Sequence, residues 1–172
     1  MEQDYLFLGI DPGWKNLGWG IVDVRGKHVA AGTLNPSEYP IGETPLALLE
    51  AIEPYQNYVK GACMERYVTY RGKHNPDSEH ILLVTGSLQY MIKSDLECPL
   101  AMYKAIDWKT PIAKHIYLTT GQENPSDSLD KVFSMFAGEI LTGKQFKVDH
   151  EADASCLAWL ASASWARSNR SR

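Results

Sequence analysis

The stretch YLFLGIDPG, residues 5 to 13, decides how this chain folds, together with LGWGIVDV at 17–24 and HVAAGTL at 28–34. Tyr5 to Ile10 is a short apolar run of strand formers, stopped by the turn signal Asp11-Pro12-Gly13. Leu17 to Val24 reads as a second strand, Arg25-Gly26-Lys27 as a hairpin turn and His28 to Leu34 as a third strand. Adjacent strands joined by tight turns form an antiparallel meander.

Outward from this meander the period changes. Thr44 to about Tyr58 carries Leu46, Leu49 and Ile52 at helical spacing, with Pro45 where a first turn tolerates proline. Gly61 to Tyr67 is a fourth strand, parallel to the first because a helix crosses over to it. Asp77 opens a helix to about Leu96, and Pro99 to Ile106 is a fifth strand. Helices follow from Trp108 to Tyr117, from Ser126 or Asp127 to Leu141, and from His150 to Trp165. The order βββαβαβ and then helices predicts an α/β domain: a mixed five-stranded sheet, three strands antiparallel and two parallel, with helices on both faces. Residues 1–166 are expected to be one domain and 167–172 a basic, frayed tail.

At 172 residues and 44% hydrophobic, the chain can build one core without staples. No apolar stretch approaches the roughly 20 residues of a membrane span. Glu2 and Asp4 stand where a signal peptide would be basic, so a cytoplasmic location is expected. Cys63, Cys98 and Cys156 are odd in number and lack CxxC spacing, which predicts buried free thiols rather than disulfides or structural zinc. A net charge of −4 does not advertise a nucleic-acid partner, but an acidic metal site itself adds carboxylates. Two segments are locally basic: Arg66, Arg71, Lys73 and His74; then Lys104, Lys109, Lys114 and His115.

Three carboxylate signals stand out. Asp11 ends an apolar strand, so its side chain projects from the sheet edge, although Asp-Pro-Gly is also ordinary turn chemistry. Glu65 interrupts the apolar run GACMERY, which is costly unless the group is paired, metal-bound or on an exposed face. A crossover places its strand beside the first, so the two carboxylates can meet. His150 and Asp153, three apart at the start of the last helix, share one face. Asp149 and Glu151 suit the helix dipole without any site, whereas Asp153 lies on the stripe of Leu157 and Leu160 that faces the core.

These residues resemble the RuvC-type Holliday-junction resolvases of the RNase H-like superfamily, over nearly the whole chain. Gly9-Ile10-Asp11-Pro12-Gly13 is similar to the family's first metal-ligand motif, Glu65-Arg66 to its second, and His150-Glu151-Ala152-Asp153-Ala154 to its last. Many members have Asp where this chain has His150, which leaves Asp149 or Glu151 as conceivable substitutes. The resemblance implies Asp11, Glu65, His150 and Asp153 as catalytic metal ligands for two Mg²⁺ ions, with Mn²⁺ able to substitute. Hard oxygen donors suit Mg²⁺, and imidazole also suits Mn²⁺. His150 could ligate directly or transfer a proton near the attacking water.

For the substrate, four-way or other branched DNA, the resemblance implies phosphate contacts from Lys109 and Lys131, with Lys114 as an alternative. It also implies an aromatic group stacking on bases. Val68 stands at the closest position, and Tyr70, or else Tyr67, is the substitute, with Arg71 and Lys73 following. Trp14 could pack over the site's rim or touch DNA. A junction has two equivalent scissile strands, so a two-fold enzyme fits it. The apolar surplus on the helix from Asp77 to Leu96 suggests a second buried face, and the resemblance implies a homodimer through that helix. Rival readings are an actin-like ATPase, which needs two such domains, an RNA nuclease of the same superfamily, and a junction-binding protein without cleavage.

Overall fold

The computed structural model describes residues 5–40, 42–69, 76–122 and 131–170, without the side chains of Lys131 and Arg170. Strands β1 (Leu6–Asp11), β2 (Leu17–Asp23), β3 (His28–Leu34), β4 (Val59–Glu65) and β5 (Leu100–Tyr103) form one sheet in the order β3-β2-β1-β4-β5. β1 pairs antiparallel with β2 and parallel with β4, and β4 pairs parallel with β5. This is the mixed sheet expected from the sequence.

Helices α1 (Thr44–Ala51) and α2 (Ser78–Ser94) cover one face; α3 (Ala105–Thr120), α4 (Lys131–Thr142) and α5 (Asp149–Arg170) cover the other. The alternation of side chains along a strand divides the core accordingly. Leu8 and Ile10 of β1, Leu17, Trp19 and Ile21 of β2 and Met64 of β4 pack with Leu88, Met91 and Ile92 of α2. Cys63 of β4 packs instead with Trp108, Phe133 and Leu157 from α3, α4 and α5. All three cysteines are buried and free.

Several element ends differ from expectation. The first helix stops at Ala51 and continues as a 3-10 turn over Glu53–Tyr58, because Pro54 lacks the N–H that an α-helix would need there. β5 has four residues, and α3 begins at Ala105, three residues before the expected start at Trp108. Asp107 in the first turn favours the dipole of a helix beginning there. α5 continues to Arg170, past the expected end at Trp165. The expected start of α4 at Ser126 or Asp127 lies outside the described residues.

Missing side chains let α5 lie close against the sheet. A Cβ on Gly9 would collide with the carbonyl of Ala154, and one on Gly18 with the backbone of His150. With hydrogen in those places, the first two turns of α5 rest directly on β1 and β2. That contact sets the height at which the start of α5 meets the end of β1.

Candidate active site

Asp11 is the last residue of β1 and Glu65 the last of β4. Ile10 pairs with Met64, so the two carboxylates leave neighbouring strand ends. Both follow their strands' alternation onto the face covered by α3, α4 and α5. The start of α5 arrives over the same ends, since Gly18 is in contact with the His150 backbone. His150 Nδ1 stands 2.8 Å from Asp11 Oδ2. Asp153, one turn on, holds Lys109 Nζ at 3.0 Å through Oδ2, and that ammonium also donates to Ser134 Oγ at 3.2 Å. Trp108 Nε1 donates to Glu65 Oε2 at 2.8 Å. The four carboxylate and imidazole positions named from the sequence are therefore gathered, along with three neighbours.

Their electrostatics show strain. Burial, then the nearby Asp11 charge, pushes the Glu65 carboxyl up to about 7, against the pull of the Trp108 hydrogen bond. Burial likewise raises Asp153 to about 6, although Lys109 opposes it. The hydrogen bond to Asp11 raises His150 above its ordinary value despite partial burial. Asp153 Oδ1 is buried without a hydrogen-bond partner among the described residues. Several acidic groups thus share a space too dry to hold their charges, with one ammonium, on Lys109, among them.

That donor set fits a hard divalent cation: carboxylate oxygens, one orphaned and buried, and charges that repel until something positive intervenes. As the side chains stand, no three His, Cys, Asp or Glu groups among the described residues already surround a common point. His150 faces Asp11 and Lys109 faces Asp153 instead. Glu151 points away from the site, accepting from Thr33 on β3 at 3.3 Å.

The remaining expected residues fall elsewhere. Lys109 is not a surface lysine: it is 7% exposed and tied to Asp153. Lys114 is exposed on α3, and five residues of helix turn it roughly 140° from Lys109. Tyr67 bonds Ser78 at the start of α2 through its hydroxyl, at 2.7 Å. Trp14 packs against the core on the α1 and α2 face, its ring stacked on His80 with centroids 4.3 Å apart. Tyr70, Arg71 and Lys73 lie outside the described residues, as does the side chain of Lys131. Sequence reasoning missed Trp108 and Ser134. An isolated tryptophan and serine on amphipathic helices carry no signal until the partner strand is in place.

No family model matches the chain. A crossover junction endodeoxyribonuclease RuvC of Xanthobacter autotrophicus is 31% identical over 110 residues, 58% of this chain and 60% of that protein. The matches to three such RuvC proteins span between 29% and 60% of those relatives' lengths. Among solved structures, Thermus thermophilus RuvC in complex with Holliday junction substrate superimposes with a TM-score of 0.68 at 18% identity, covering 96% of each chain. The yeast mitochondrial Holliday junction resolvase Ydc2 gives 0.58 at 15% identity, covering 99% of this chain and 84% of that one. Over part of its length in sequence, and over nearly all of it in fold, the chain is similar to RuvC-type Holliday junction resolvases, and its sheet and helices have an RNase H-like architecture.

Proposed function

We propose that this chain is a divalent-metal-dependent endonuclease that resolves four-way DNA junctions by paired, symmetric nicks. The observation that supports it most is the gathering of Asp11, Glu65, His150 and Asp153, with Lys109 among them, at the ends of β1 and β4. The RuvC relatives and the fold shared with two resolvases point the same way.

Asp11, Glu65, Asp153 and His150 would hold two Mg²⁺ ions, or Mn²⁺ in their place, and these would supply charge neutralisation and an activated water for phosphodiester hydrolysis. Asp11, central on the sheet, would be a carboxylate ligand together with Glu65 and Asp153. His150 either ligates or moves a proton beside the attacking water, and its hydrogen bond to Asp11 holds the ring in place. Lys109, held by Asp153 at 3.0 Å, would offset the charge of a bound phosphate. Lys131, Lys114, Arg71 and Lys73 offset backbone charge further out, and Tyr70 stacks on an unpaired base.

Residues 1–166 form the nuclease domain in this reading. The enzyme acts as a homodimer. α2 buries Ile81, Val84, Leu88 and Met91, yet exposes Leu82, Leu83 and Tyr90, at 53%, 48% and 74%, leaving an apolar stripe for a second copy. Among the described residues no helix is long and apolar enough to cross a membrane. With bacterial relatives, the reading is a cytoplasmic enzyme of a bacterium or a phage-infected cell.

The deciding experiment incubates the protein with end-labelled four-way junction and linear duplex, in Mg²⁺, Mn²⁺ or chelator. Symmetric nicks on the junction alone, abolished by chelator, are expected. Equal cutting of duplex, or cutting that survives chelation, would overturn the reading.

A further inference from the structure

Trp108 is in the first turn of α3 and is 1% exposed, packed with Ile112, Phe133 and Leu157. A phenylalanine, though smaller, would keep that wall apolar. What a phenylalanine lacks is the indole N–H, a donor with no acceptor beside it. In this fold the N–H is directed at Glu65 Oε2, 2.8 Å away, across 43 residues of chain. The same ring lies 5.0 Å beneath Lys109 Nζ, which in turn contacts Asp153. One buried side chain therefore touches Glu65 directly and steadies the cation that faces Asp153.

We propose that Trp108 is a positioning residue for metal binding: its indole N–H locks the Glu65 carboxylate in one orientation and leaves Oε1 for a divalent cation. This rests on the reading of Glu65 as a metal ligand. A carboxylate on a flexible side chain must lose rotamer freedom on ligation, and a fixed donor removes that cost beforehand. Partners of metal ligands typically contribute about 10–100-fold to affinity.

The test needs no DNA and no turnover. Mg²⁺ binding is measured by calorimetry on the wild-type protein, Trp108→Phe, Glu65→Gln and the double variant. Trp108→Phe is expected to weaken binding roughly 10–100-fold. In the Glu65→Gln background it should change binding less than about twofold, because the two residues act as one coupled pair. A second readout leaves Trp108 in place. The protein has five tryptophans, and the indole N–H resonance displaced by Glu65→Gln should be the one that shifts when wild type is titrated with Mg²⁺. The proposal fails if Trp108→Phe binds Mg²⁺ like wild type, or loses as much in the Glu65→Gln background. It fails too if calorimetry registers binding while that indole signal stays still. A wild-type protein that binds no divalent cation would instead sink the metal reading itself, and the role of Trp108 with it.

Discussion

The two ends of α5 lie on the same face of the same sheet and have opposite chemistry. At its start, His150 and Asp153 meet Asp11, Glu65 and Lys109 in a half-dry cluster of charge. Toward its other end, Trp165 packs edge-on against Tyr5, centroids 5.2 Å apart, and tilts over Phe7 at 5.8 Å. There Phe7, Leu100, Leu160 and Trp165 line an apolar cavity of about 330 Å³ between helix and sheet. One end holds the helix down by apolar burial. The other spends part of that stability on carboxylates that repel one another. The contrast teaches that the site is held together from outside itself, by the close glycine contact and the aromatic clamp.

Removing charge at the acidic end should produce the largest change. Asp11→Asn keeps the contact with His150 but loses the central carboxylate; junction cleavage is expected to fall roughly 10³-fold, from the loss of several kcal/mol of metal-centred charge stabilisation, with junction binding retained. Single-turnover cleavage and gel-shift assays read the two separately. If the Asp11→Asn protein cuts at the wild-type rate, the acidic end is not the catalytic one.

Gly9→Ala probes what joins the two ends. Its new methyl would overlap the Ala154 backbone, so α5 must lift from β1, at a cost of about 3 kcal/mol in denaturant unfolding. Activity should fall even where the protein stays folded, because His150 and Asp153 rise with the helix. Trp165→Ala, at the aromatic end, should cost about 2 kcal/mol of stability while leaving cleavage near wild type at low temperature. A large activity loss from Trp165→Ala at unchanged stability would erase the division between the ends.

The smallest effect is the pH dependence of the metal-free protein. Glu65 and Asp153 sit near 7 and 6 when folded, above their ordinary 4.5 and 3.8, so the folded state binds more protons than the unfolded one between these limits. Stability must then fall as pH rises through that window. His150, also raised, adds stability below its ordinary 6.5 that is lost as pH climbs through its folded value, so it acts in the same sense. In chelator, the melting temperature should drop by about 5 °C from pH 5 to pH 8. Glu65→Gln should flatten the slope. A melting temperature that rises over this range would show that the carboxylates do not repel.

Much of this is legible in the order of residues. The apolar runs and the Asp-Pro-Gly turn place β1 to β3 within a residue or two, because the strand period and the turn residues are local. Glu65 stands out because a charge in an apolar strand is costly wherever it folds. The LAMYKAI run is harder. Its apolar residues satisfy either a strand or a helix start, and the helix takes Ala105 and Ile106 once Asp107 can sit at its positive end. Lys109 reads as a surface cation, since nothing adjacent in sequence marks a lysine that will be buried against an acid.

The amino-acid order alone determined the strand and helix pattern, the placing of Asp11 and Glu65 on neighbouring strands, and the shared face of His150 and Asp153. These follow from periods of two and of 3.6 residues. Tertiary structure alone decided that His150 meets Asp11 across 139 residues, that Trp108 reaches Glu65 and that Lys109 neutralises Asp153. Those contacts depend on how closely a helix docks on a sheet, and that distance is set by side chains, and by their absence at Gly9 and Gly18, on segments that meet only when the chain is folded.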